Sequence, residues 1–106
     1  MAGMGNLSNL MQQAQKMQRD LAKLQDELKD RHVEGSSGDG AVIVIASGDQ
    51  KIQSIRLQPE AVDPDDSETL EDLLIVAVNS ALEKSKELQR TETEKLTGGV
   101  NLPGMF

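Results

Sequence analysis

The sequence contains no cysteine, no tryptophan and no tyrosine, and its one phenylalanine, Phe106, is the last of 106 residues. Without cysteine there is no disulfide framework and no thiolate metal site. With His32 as the only histidine, a zinc site has too few ligands. Without aromatic rings, the base-stacking surfaces of RRM and OB modules are excluded. No apolar run approaches the roughly 20 residues that span a membrane. The N-terminus carries no basic segment leading into an apolar one, so no secretory signal is expected and a soluble, cytoplasmic protein is the default. Basic residues are also scarce. Eleven Lys and Arg face 18 Asp and Glu, for a net charge of −7.

The charge is unevenly spread. Residues 1–32 sum to +1, residues 33–62 to −2, and residues 63–96 to −6. Six acids fall between Asp63 and Asp72, where no basic residue occurs. The global field therefore repels nucleic acid, and polyanion binding must come from a local patch.

The strongest pattern is a leucine stripe. Leu7, Leu10, Ala14, Met17, Leu21, Leu24 and Leu28 alternate in steps of three and four, a heptad seam held for three heptads. The intervening Gln, Lys and Ala are good helix formers. A helix over 7–31 would be about 37 Å long. A compact domain of this size has a radius of gyration near 13 Å, so this helix is expected to protrude or to pair.

The glycine- and serine-rich string from Glu34 to Gly40 reads as a loop. His32 to Ser36 can add a short edge strand before the turn is complete. Residues 41–47 form a β-branched run, expected to be a strand buried on both faces. Gly48-Asp49 is a hairpin turn signal, and residues 51–58 read as a second, half-buried strand. Ile52 is out of phase with Ile55 and Leu57, which predicts a bulge.

Pro59 ends the sheet. Asp63 is expected at the N-cap of a last helix, with Pro64 at N1 and Asp66 at N3, while Ser67 is a competing cap. Leu70, Leu73, Leu74, Ala77, Val78, Ala81 and Leu82 form its apolar stripe, and the helix is expected to run to about Lys95 and stop at Thr97-Gly98-Gly99. The expectation is one α+β domain over 1–106, ordered α-β-β-β-α, with a small antiparallel three-stranded sheet and two long helices. Residues 1–6 and 98–106 are expected to be flexible tails.

No catalytic constellation emerges. His32 lies at the predicted end of the first helix, where an interaction with the helix terminus is its ordinary role. The acids of 63–72 do not follow EF-hand spacing and suit a helix start. The glycines of 34–40 precede a strand, not a phosphate-binding helix. No enzyme, metal or cofactor is expected.

Two patterns remain. One small sheet cannot cover two long amphipathic helices, so part of the leucine stripe is expected to be a seam between two copies: Leu10, Ala14, Met17, Leu21, Leu24 and Leu28. Lys16, Arg19 and Lys23 share one face of the first helix. On the last helix Lys86 and Arg90 are four apart, beside Lys84. Doubling in a dimer would turn these clusters into a spaced pair able to contact phosphates at two places on a duplex.

The stretches NLMQQAQKMQRDLAKLQDEL, GAVIVIASGDQKIQSIRLQPE, LEDLLIVAVNSALEKSKEL and TGGVNLPGMF together resemble, in order and over nearly the whole chain, the YbaB/EbfC family of bacterial nucleoid-associated proteins. The resemblance implies a homodimer with projecting helices, often described as tweezers. It implies a cytoplasmic, nucleoid-associated protein that binds duplex DNA with low sequence specificity and alters its conformation, with effects on gene expression. Neither a membrane nor a small-molecule substrate is implied. The positions that match the family's DNA-contacting helices are Lys16, Arg19, Lys23 and Arg31 on the first helix and Lys84, Lys86 and Arg90 on the last. The other reading of these residues is a dimeric module that docks another protein and does not bind DNA directly.

Overall fold

The computed structural model describes residues 2–98, and side chains from Asn6 onward. Helix α1 covers Ala2–Leu28, strand β1 His32–Ser37, β2 Val42–Ser47 and β3 Ile52–Leu57. A short 3-10 turn at Pro59–Ala61 leads to helix α2, Ser67–Thr97. The sheet is a simple antiparallel meander, β1-β2-β3.

Several boundaries differ from expectation. Helix α1 begins at Ala2, so residues 2–6, expected to be a flexible tail, are helical. It ends at Leu28, short of residue 31. The Leu28 carbonyl accepts the Gly48 N–H at 2.9 Å, so the β2–β3 turn closes the helix end. His32 plays no part there, because it is already the first residue of β1. Strand β1 is the edge strand expected over His32 to Ser36, extended by one residue to Ser37. The turn shrinks to Gly38–Ala41, closed by the Ala41 N–H to the Gly38 carbonyl at 3.1 Å, and its central Asp39 and Gly40 both have positive φ, the primed hairpin conformation. The tail expected from 98 onward lies, beyond Gly98, outside the described residues.

Helix α2 starts later than expected. Asp63 instead makes its own turn, its carboxylate accepting the Asp65 N–H at 2.9 Å. Asp66 becomes the N-cap, accepting the Thr69 N–H at 3.3 Å and the Thr69 hydroxyl at 2.6 Å. Pro64 sits inside the preceding turn. At the other end Gly98, with φ of 66°, closes the helix through its N–H to the Glu94 carbonyl.

The predicted bulge is present. Ile45 pairs with Ser54 but Ala46 pairs with Ile52, which leaves Gln53 as the extra residue. Val42, Val44 and Ala46 point at α2 and are fully buried with Ala77 and Ala81. On the opposite face Ile43 and Ile45 are half-buried, so β2 is sealed on one side only. Strand β3 is almost wholly exposed, Ile52 and Ile55 included. The reason is where α2 lies: it packs over β1 and β2.

Gly35 permits that placement. A Cβ there would stand 2.4 Å from the Ala81 nitrogen and 2.5 Å from the Ala77 carbonyl oxygen. The helix backbone thus rests directly on the strand. Ser37 adds a hydroxyl bond of 2.6 Å to the Leu73 carbonyl. A buried polar chain joins the other end. Ser85 donates to the Ser47 carbonyl at 2.6 Å and accepts the Gln50 N–H at 3.1 Å. Gln50, held at φ of 67°, donates to Gln89, which reaches Gln25 of α1 at 3.5 Å.

Helices α1 and α2 run antiparallel where they meet: Gln25 faces Gln89, and Asp20, Lys23, Leu24 and Glu27 line a groove with Glu92, Lys95 and Leu96. Beyond this overlap α1 continues alone. The molecule measures 77 × 20 × 17 Å with a radius of gyration of 20.1 Å, well above the ~13 Å of a compact chain of this length.

Substitution Gly35→Ala is expected to lower stability by about 2 kcal/mol or more, because backbone on both sides must move apart. Urea unfolding followed by far-UV circular dichroism checks this; an unchanged midpoint would mean that the contact is loose.

Candidate nucleic-acid interface

The leucine stripe of α1 divides. Leu28 is fully buried and Leu21 is 4% exposed, both within one chain, while Leu24 is half-buried against α2. These residues hold α1 to its own body, which revises the expectation that Leu21 and Leu28 lie between copies. Leu10 and Ala14 are exposed and Met17 is half-buried. Among the described side chains, Leu7, Leu10 and Met11 are the exposed large apolar ones of the projecting arm.

Lys16, Arg19 and Lys23 follow one another along the arm in steps of three and four, and all are exposed. Lys16 pairs with Asp20 at 2.8 Å and Lys23 with Glu27 at 3.9 Å. Exposed pairs of this kind contribute little and exchange readily for a phosphate. Arg31 is exposed in the turn between α1 and β1.

The cluster expected on α2 is split. The Lys84 ammonium donates to the Glu34 carbonyl of β1 at 2.8 Å, so it lies over the sheet edge. Lys86 and Arg90 are two and six residues further on, roughly on the opposite side of the helix. Arg90 is clasped by Glu87 and by Glu94, the latter at 2.6 Å. That bonding holds the Glu87 carboxyl below its ordinary value, mainly through the hydrogen bond from Arg90, and pushes the Arg90 guanidinium further up. Lys95 stands across the groove from Lys23, paired with Glu92 at 3.2 Å. Sequence reasoning missed it, because only the antiparallel overlap of the helices brings it beside α1.

The acids occupy the other end. Residues 57–83 carry eight acids and no Lys or Arg, so this stretch alone holds −8. Glu60, Asp63 and Asp66 gather with Gly38 and Leu73 at the β1–β2 turn. Along α2, Glu68 in the first turn stands about 40 Å from Lys95 beside the arm, while Glu83, the last of these acids, stands about 18 Å from it at 1.5 Å per residue, against the ~8–10 Å over which salt screens charge. The rest of the chain sums to +1. Among the described residues no three His, Asp or Glu stand together as a metal site, and no helix is long and apolar enough to cross a membrane.

Fold and site together define an α+β protein whose long helical arm carries cations remote from an acidic end. The sequence profile of the YbaB/EbfC DNA-binding family matches residues 4–100, and the chain belongs to that family, which is not a family of enzymes. A nucleoid-associated protein of Desulforamulus reducens is 58% identical over 102 residues, covering 96% of this chain and 97% of its own. One from Acetivibrio thermocellus is 52% identical over 103 residues, covering 96% and 91%. The crystal structure of an uncharacterized protein from Helicobacter pylori superposes with a TM-score of 0.76 at 21% identity, over 86% of this chain and 96% of that one, which shows the shared fold.

The Arg90 clasp gives a pH dependence. The Glu87 carboxyl is held low, so the support it lends α2 is present above its ordinary 4.5 and is lost as pH falls through the lowered value. In a carboxyl-detected NMR titration, Glu87 is expected to titrate below 4.5 in the parent and near 4.5 in Arg90→Ala. Equal midpoints in the two proteins would dissolve the clasp.

Proposed function

We propose that the protein is a nucleoid-associated DNA-binding protein that grips duplex DNA as a homodimer, mainly through phosphate contacts, and alters its conformation. The observation that carries this reading is the separation of charge along the long axis. A chain of net charge −7 repels DNA as a whole, yet the seven acids from Glu60 to Asp72 lie at the end away from the arm, beyond the range of screened repulsion. Lys16, Arg19, Lys23 and Arg31, with Lys86 and Arg90, then meet phosphate on local terms, and Lys84 adds to them from the sheet edge. Membership of a DNA-binding family and the nucleoid-associated relatives support the same conclusion.

The homodimer is supported by apolar surface on the body. Ile55 of β3 faces the side where α2 packs but is 48% exposed, and Ile75 and Val76 of α2 are 59% and 56% exposed. Large side chains left open beside a core call for a cover, and a twofold partner offers the same surface in return. The seam then lies on the body, with Leu10, Ala14 and Met17 as its extension along the arms.

Substituting Lys16, Arg19 and Lys23 by Ala is expected to weaken binding to a 30-base-pair duplex roughly tenfold or more at 50 mM salt. The log–log salt slope should become shallower by about 0.9 for each phosphate contact removed. Fluorescence anisotropy at 50 and 200 mM salt measures both. A parent protein with no saturable binding at either salt overturns the DNA reading in favour of a protein-docking module. Separately, Ile75→Asp with Val76→Asp should convert a sedimenting dimer to monomer; a variant that stays dimeric puts the seam elsewhere.

A further inference from the structure

The polar side of the arm has an order of its own. Asn9, Gln12, Lys16, Arg19 and Lys23 follow in steps of three, four, three and four, and all five are exposed. They form one straight face, two residues out of phase with the leucine stripe and so about 200° round the helix. The face changes character along its length. Asn9 and Gln12 offer primary amides, the next three positions offer cations, and past Lys23 the same face ends on the acid Glu27. Residues 1–15 carry no charged side chain, so no side chain at the tip repels or binds phosphate by charge.

We propose that the tip of α1 enters the major groove of duplex DNA, with Asn9 and Gln12 reading base edges while Lys16, Arg19 and Lys23 hold the flanking phosphates. This rests on the DNA-binding reading above and adds to it a source of sequence preference. A helix about 10–12 Å across fits a groove about 12 Å wide. Among the described residues the arm stands clear of the body. Primary amides are the side chains that pair bidentately with adenine, accepting from N6 and donating to N7. Asn9 and Gln12 are one helical turn apart, suited to neighbouring base pairs. The cations lie one to three turns further along, where the helix leaves the groove and crosses the backbone.

The test uses the full chain and two 30-base-pair duplexes of identical sequence, one with every adenine replaced by 7-deazaadenine. That change deletes the N7 acceptor in the major groove and leaves the phosphates, the base pairing and the minor-groove edges in place. The parent is expected to bind the natural duplex at least about fivefold more tightly than the deaza duplex, in keeping with the loss of a bidentate contact. The variant Asn9→Ala with Gln12→Ala should bind both duplexes equally, with the salt slope of the parent. Both positions are exposed and alanine favours helix, so the fold is retained. Equal binding of the two duplexes by the parent overturns the proposal while leaving phosphate-driven binding intact. A parent that binds neither duplex overturns both readings. A variant that keeps the parent's discrimination assigns the base contact to other residues and overturns this one.

Discussion

The contact of Gly35 with the backbone of Ala77 and Ala81 sets the height and direction of α2 over the sheet. With no side chain between them, helix and strand approach until the backbone atoms touch. Val42, Val44 and Ala46 then close the core beside them. A helix of 31 residues laid on strands of six must overhang, and the direction of α2 sends the overhang past the β2–β3 turn. Ser85 and Gln89 emerge there to bind Ser47 and Gln50, and Gln89 reaches Gln25. The clamp on α1 is therefore a consequence of how α2 is seated.

The clamp in turn defines the arm. Leu21, Leu24 and Leu28 are used within the chain, and the side chains from Asn6 to Lys16 are all exposed. The charge pattern gains its meaning from the same geometry. An acidic stretch at the start of α2 is kept from the basic face of α1 by the length of a helix, which salt screening turns into near independence. A compact fold with the same composition would place these charges within reach of one another and present a uniformly repulsive surface to DNA.

Much of the architecture was legible in the sequence. The 3–4 spacing of the leucines required a long helix, the β-branched run at 41–47 required a strand, and the misphased Ile52 marked a bulge that the register confirms. Legibility failed where local signals compete. The string from Glu34 to Gly40 carries a loop signal that competes with an edge strand over His32–Ser36, because glycine lowers strand propensity, yet Gly35 is in the strand for its lack of a side chain. Asp63, Asp66 and Ser67 all qualify as helix caps. Which one serves was settled by the turn at Pro64, through hydrogen bonds that composition does not reveal.

The candidate site divides in the same way. Lys16, Arg19 and Lys23 share a face on any helix, because 3.6 residues per turn puts them there. That Lys84 turns to the edge of β1 while Lys86 and Arg90 do not follow it depends on which side of α2 packs, and that Lys95 stands opposite Lys23 depends on the antiparallel overlap. The sequence by itself determined the elements, their order and the faces along each helix, since these follow from local periodicity. Tertiary structure alone decided which leucines serve the chain's own core, which apolar side chains stay open, and how far the acids lie from the arm. Those properties are distances between segments remote in sequence, and they arise only when α2 has been set down on the sheet.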